Sequence, residues 1–146
     1  MLYFWITLHG LVLVWGGHYT YARVPFGFWL QDIFDLARNP YDRIGHFFQG
    51  FVPALIVREI FIRKSVVRSS IWQIIFVVCL VQTISVFYEY IEWVSALISG
   101  QGASEFLGTQ GDPWDTQLDM LMALVGACFA LMFLSKVQDK QMRKVK

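Results

Sequence analysis

Seven side chains in this sequence could do chemistry together: Asp42 and His46, Glu89 and Glu92, and Asp112, Asp115 and Asp119. All fall near one end of three apolar segments. Ionisable groups facing lipid are costly, so they are rare there unless they pair, bind an ion or line a water-filled cavity. Grouped carboxylates with one imidazole repel one another unless protons or a cation compensate. A divalent metal ion is the simplest compensation. Oxygen-rich ligands with one nitrogen suit Mg, Ca or Mn, or a carboxylate-bridged Fe or Mn pair, and Zn fits with fewer carboxylates.

Spacing supports convergence. Residues three or four apart share a helix face, so Asp42 with His46, Glu89 with Glu92, and Asp115 with Asp119 are same-face pairs, each stepping about 5 to 6 Å along its helix. His46, Glu92, Asp119 and Asp42 are the candidate metal ligands. Glu89 and Asp115 are the candidate general acid or base, with Asp112, and Asp42 alternatively, supporting the ligands from behind. Plainer roles stay open: Asp112 as a helix N-cap, and Asp42 as a charge at a helix N-terminus neutralised by Arg43.

The elements that must position these residues are membrane spans. Of the 146 residues, 56% are hydrophobic and 16% charged, and mean hydropathy is +0.49; a soluble domain carries roughly 25% charged residues. The length holds about four helices of ~20 residues. The expectation is an all-α polytopic bundle forming one integral-membrane domain over 1–146, with spans at about 1–17, 41–62, 71–98 and 113–134. Between the first two, about 18–40 reads as an interfacial segment, rich in Tyr, Phe and Trp, with a short amphipathic helix at 28–37. Pro40 opens the second span, and Asp112 with Pro113 opens the fourth. The glycine-rich stretch 99–111 reads as a loop.

Several residues read as structural. Cys79 and Cys128 sit in apolar runs as small buried hydrophobes. Arg58 and Glu59 snorkel or pair locally, Trp93 and Trp114 join an outer aromatic belt, His18 is solvated, and His9 can hydrogen-bond another helix.

Arg58, Arg63, Lys64, Arg68 and the five basic residues after Ser135 lie on one side, against Arg23, Arg38 and Arg43 on the other. The positive-inside rule then puts both termini in the cytoplasm. The acidic residues converge at the extracytoplasmic ends. A net charge of +1 argues against nucleic acid, and no phosphate loop, GxSxG elbow, HExxH pair or dinucleotide fingerprint occurs.

The strings Gly17-His18-Tyr19-Thr20-Tyr21-Ala22, Asn39-Pro40-Tyr41-Asp42-Arg43-Ile44-Gly45-His46-Phe47-Phe48-Gln49-Gly50, Tyr88-Glu89-Tyr90-Ile91-Glu92-Trp93 and Gly108-Thr109-Gln110-Gly111-Asp112-Pro113-Trp114-Asp115-Thr116-Gln117-Leu118-Asp119-Met120 resemble those of the YjdF-like bacterial inner-membrane proteins, a family without an established function. The likeness covers nearly the whole chain and implies residence in the bacterial inner membrane. It also implies further apolar helices ahead of the position of Met1, so the chain looks like a short version or one with a late start. A weaker likeness, in the order Asp and His, then Glu, then Asp on successive helices, is to the VanZ-like membrane proteins, and it points to cell-envelope lipids or glycans.

The leading functional expectation is a metal-dependent hydrolase or transferase acting on a phosphate or ester of a lipid or cell-envelope substrate. Alternatives are a proton or cation transporter and a structural subunit of a membrane complex. The small residues Gly126, Ala127 and Ala130 would permit close helix packing, in a homo-oligomer or larger assembly.

Overall fold

The computed structural model describes residues 1–99 and 110–144. Most of the glycine-rich loop expected at 99–111 lies outside the described residues. The described chain is all-α: α1 (Leu2–His18), α2 (Pro25–Phe34), α3 (Tyr41–Arg63), α4 (Ser70–Ser99) and α5 (Asp115–Phe129), which runs through a π-helical turn (Ala130–Leu134) into α6 (Ser135–Lys144). Three stretches, Tyr41–Arg63, Ser70–Ile98 and Asp115–Lys144, are long and apolar enough to cross a membrane. The first expected span, 1–17, coincides with α1, whose 17 residues reach about 26 Å at 1.5 Å per residue.

The packing is that of a chain whose solvent is lipid. Large apolar side chains point outward along α1, α4 and α5 with its extension, among them Phe4, Leu11, Ile74, Phe87, Ile91 and Met132. In water such a surface would be an aggregation hazard; in a bilayer it is the contact surface. Trp93 and Trp114 are exposed as expected of belt residues. Cys79 is exposed too, against the expectation of burial, while Cys128 is half-buried; α4 turns the Cys79 face outward and buries Val77 and Val81 instead.

Helix α3 is the hub, packed against α1, α4 and α5. Its closest crossing is with α5, and it depends on two glycines. A Cβ on Gly50 would collide with the Ala123 carbonyl, and one on Gly126 with the Phe47 carbonyl. Small residues let backbones in a membrane approach closely and gain dispersion contacts that lipid cannot match. Gly126, Ala127 and Ala130 are therefore buried inside this chain, not left facing outward for a partner helix. Helix α1 lies antiparallel along α3: Trp5 meets Phe51, His9 stacks on Phe48, Trp15 meets Tyr41, and the Tyr41 hydroxyl donates to the Val12 carbonyl at 2.9 Å.

Three boundaries move. Helix α2 begins at Pro25, where proline's fixed φ and missing N–H suit a first turn, and stops at Asp35 in the left-handed conformation (φ +49); the amphipathic stretch expected at 28–37 is shifted accordingly. Helix α5 begins at Asp115, two residues late, because the Asp112 carboxylate accepts the Trp114 N–H at 2.9 Å and holds a turn there. The fourth span also continues ten residues past 134 as a helix, where a plain basic tail was expected. The π turn adds a residue and rotates the following face by about 100°, so that Gln138 and Met142 are buried. Arg58 then reaches Gln138 (2.9 Å) and Asp139 (2.7 Å), and Gln138 donates to the Leu55 carbonyl at 2.7 Å. Arg58 thus bridges helices where local pairing or snorkelling was expected; Glu59 does pair locally, with Arg63 at 2.7 Å.

Candidate metal centre

The site forms where the first turns of α3 and α5 meet the last third of α4. Two connecting segments are locked together to make this happen. Asn39, fully buried, accepts the Tyr41 N–H through Oδ1 and donates to the Val24 carbonyl through Nδ2. Its backbone N–H and carbonyl pair with the Gln110 side-chain amide at 2.9 and 3.0 Å. The start of α3 and the segment before α5 are therefore held in register across more than seventy residues of sequence.

The acidic residues divide into two sets. On the outer edge, Arg38 donates to Asp115 and lies 3.5 Å from Asp112 and 4.0 Å from Asp42, while Arg43 reaches Asp112 at 2.6 Å. The cation beside Asp42 is thus Arg38, and Arg43 serves Asp112; the expected pairing of Arg43 with Asp42 is not the one formed. Asp115, a candidate acid or base, stands in the first turn of α5 on this arginine-compensated edge.

One turn further in, His46 is the centre of the second set. Its Nε2 lies 3.7 Å from Asp42 Oδ1 and 4.0 Å from Asp119 Oδ2, and its Nδ1 lies 3.7 Å from Glu89 Oε1. Asp42, His46 and Asp119 can each offer one ligand atom within 4.8 Å of the others, and so can His46, Glu89 and Glu92. All six expected residues of the three pairs therefore lie in one region, with Asp112 at its rim.

These gaps are too long for hydrogen bonds; His46 and Glu89 also have side-chain partners in Gln49 and Thr116, but one atom on each of three residues is left over. His46 Nδ1, Glu89 Oε1 and Asp119 Oδ1 are buried with no hydrogen-bond partner among the described residues, and so is the Oγ of Ser85, one turn below Glu89. The side chains of His46 and Asp119 are each 3% exposed, and that of Glu89 8%. Orphaned buried acceptors at this density are expensive. Ligand atoms around a single cation with bonds of 2.0 to 2.6 Å sit about 3 to 4 Å apart, and the gaps from His46 Nε2 to Asp42 and Asp119, 3.7 and 4.0 Å, fall at the upper end of that range.

Two tyrosines complete the site. A cavity of about 210 Å³ is lined by Asp42, His46, Tyr21 and Leu13 at one end and by Pro53 and Ile84 further in; a second, of about 140 Å³, includes Glu92, Thr20 and Ser95. Tyr21 and Tyr88 line both. The Tyr21 ring lies over α1 where Gly16 has no Cβ to obstruct it, and it is carried by a turn in which Thr20 and Tyr21 both have positive φ (+58 and +51). Burial pushes the Tyr21 phenol above its ordinary value of 10.0, and the nearby Asp42 and Glu92 carboxylates add to this, so it is a neutral donor at physiological pH.

Arg38 and Tyr21 were not legible as site residues. Arg38 stands four residues before Asp42, a spacing that does put two side chains on one face, but the intervening Asn39-Pro40 suggested a break. Tyr21 belongs to a segment whose aromatic content suggested only the interface.

A multi-pass membrane protein with a buried carboxylate and histidine cluster is what this fold and site define. The chain belongs to the family described as "Predicted membrane protein (DUF2238)", which matches residues 1–140. It is 52% identical over 144 residues to "Inner membrane protein YjdF" of Escherichia coli (strain K12), covering 99% of this chain and 69% of that protein. The expected resemblance is borne out, and the chain is a multi-pass inner-membrane protein. No solved structure matches it.

Proposed function

We propose that the cluster around His46 is a divalent-cation centre for hydrolysis or transfer at a phosphate or ester group of a lipid or cell-envelope substrate. The observation that carries this is two overlapping groups that share His46, one of Asp42, His46 and Asp119 and one of His46, Glu89 and Glu92, each able to offer ligand atoms within 4.8 Å of one another, with His46 Nδ1, Glu89 Oε1 and Asp119 Oδ1 buried and unpartnered. Asp42, His46 and Asp119 form the ligand set in this reading. With Nε2 facing the ion, the imidazole proton sits on Nδ1 and faces Glu89 Oε1, the carboxylate–histidine arrangement that fixes the tautomer of metal-bound histidines. Glu92, which borders the smaller cavity, is placed to exchange protons with a substrate or water there. A divalent cation in such a site polarises a phosphoryl or ester oxygen and activates water. Arg38 holds Asp115 and adds positive potential at the rim, where an anionic group would arrive.

A transport reading fits less well. Between this cluster and the Arg58–Gln138 network at the opposite end, each of the three spans contributes fully buried apolar side chains: Leu55 from α3, Val77 and Val81 from α4, Ala127 and Ala130 from α5 and its extension. A charge would have to cross that dry layer.

Elemental analysis of the detergent-purified protein tests the reading. About one equivalent of a single divalent metal, lost in a His46→Ala/Asp119→Ala double variant that still purifies as a folded helical protein, supports it. No retained metal after loading with Mg, Mn, Fe or Zn makes the cluster an internal lock.

A further inference from the structure

The larger cavity has a shape that the cation chemistry alone does not require. It begins at Asp42 and His46, near the start of α3, and reaches Pro53 on the same helix, a distance of about 16 Å at 1.5 Å per residue. That is roughly half of a ~30 Å hydrocarbon core, the depth of one leaflet. It opens to the outer surface between Leu13 of α1, whose carbonyl meets the Tyr21 hydroxyl near the shallow end, and Ile84 of α4 further in, both exposed, with α3 as the floor. Two further polar groups break the apolar lining: Gln49, which hydrogen-bonds His46, and His9 deeper in, whose Nε2 is buried without a partner. At about 210 Å³ it exceeds the ~150 Å³ of an engineered apolar cavity that accepts benzene, but it is small for two hydrocarbon chains side by side.

We infer that this cleft takes one acyl chain of a membrane lipid, entering sideways between α1 and α4, so that the lipid's polar group is delivered to Asp42, His46 and Tyr21. The inference rests on the proposed cation centre and names its substrate class: an amphiphile that stays in the leaflet while its head group or linkage reacts. Three features converge on a lipid occupant. The lips are the apolar side chains of a bilayer-facing surface, the cleft runs along a spanning helix to one-leaflet depth, and the polar groups with which a head group would interact are concentrated at the shallow end. The smaller cavity beyond Tyr21 and Tyr88, bordered by Glu92, Thr20 and Ser95, then receives the hydrophilic part or the water.

The test uses the full chain reconstituted in phosphatidylethanolamine and phosphatidylglycerol vesicles doped with a phosphatidylglycerol carrying a diazirine in mid-chain. After irradiation, adducts are mapped by peptide mass spectrometry and metal is measured on the same samples. Adducts should appear on the segments bearing His9, Pro53 and Ile84. They should fall about tenfold when the cleft is overfilled by Leu13→Trp or by Ile84→Trp, each judged separately for helix content and dispersity. Phe87→Trp, on the outward face of α4, should leave them unchanged, and all three variants should keep the metal. Adducts confined to outward faces, or undiminished in both cleft variants, overturn the inference; the confined pattern would mark the cleft as the seat of another helix. Cleft adducts that vanish in the variants while no sample holds metal support the acyl-chain cleft and sink the cation centre instead.

Discussion

Arg38 is the residue on which the electrostatics of the site turn. Its side chain is 10% exposed and faces three aspartates. Removing one member of a buried ion pair strands the other, at about 3 to 5 kcal/mol. Arg38→Gln should therefore lower the thermal midpoint in detergent far more than Arg43→Gln. Arg43 is 30% exposed, and an ion pair in contact with solvent contributes about 1 kcal/mol or less. A second prediction belongs to Tyr21. Its phenol titrates above 10.0 when folded, so below that pH the proton is bound in both states and nothing is lost. As pH rises past 10.0 the unfolded chain releases its proton first, and stability falls. Tyr21→Phe should show a shallower alkaline loss of stability in a pH series of thermal melts. The pairs Asp42 with His46, Glu89 with Glu92 and Asp115 with Asp119 could be read from the sequence because helical spacing alone puts each pair on one face. Their cationic partners could not, because Asn39 and Gln110 set the position of Arg38 through contacts made across the chain.

Among the elements, the α3–α5 crossing positions the ligands, since it carries Asp42 and His46 on one helix and Asp119 on the other. Gly126→Leu would drive a side chain into the Phe47 carbonyl, and overpacking of this kind costs about 1 to 3 kcal/mol or more. The variant should lose both stability and retained metal, in melts and elemental analysis. Arg58→Ala should do the reverse: it unties α6 from α3, raising amide hydrogen exchange over 135–144, while metal content is unchanged, because the buried apolar layer separates the two ends. The spans at 41–62 and 71–98 were legible nearly to the residue, since proline, charge and long apolar runs mark them. The helical extension past 134 was not. Its polar composition suggests a solvated tail, and only the π turn brings Gln138 and Met142 round to α3.

For the whole molecule, α3, α4 and α5 with its extension, the three helices long and apolar enough to cross a membrane, alternate in direction, so the α3–α4 turn and α6 lie on the same side. The Lys and Arg excess at the α3–α4 turn and in α6 predicts that this side is cytoplasmic. A fluorescent protein fused after Lys146 should fluoresce, whereas alkaline phosphatase at the same point should be inactive. The cation centre would then open toward the extracytoplasmic leaflet. That placement suits a substrate that reaches the site from the bilayer, and it separates the chemistry from the basic cytoplasmic face by the apolar layer of Leu55, Val81 and Ala127.

The most direct measurement is electron spin-echo spectroscopy of the purified protein loaded with Mn²⁺, beside His46→Gln. The proposed centre predicts modulation from one imidazole nitrogen in the native sequence, with the remaining ligands oxygen, and loss of that modulation in the variant. Bound Mn²⁺ with no nitrogen coupling, or the same coupling in both proteins, would contradict a cation held by His46 between Asp42 and Asp119.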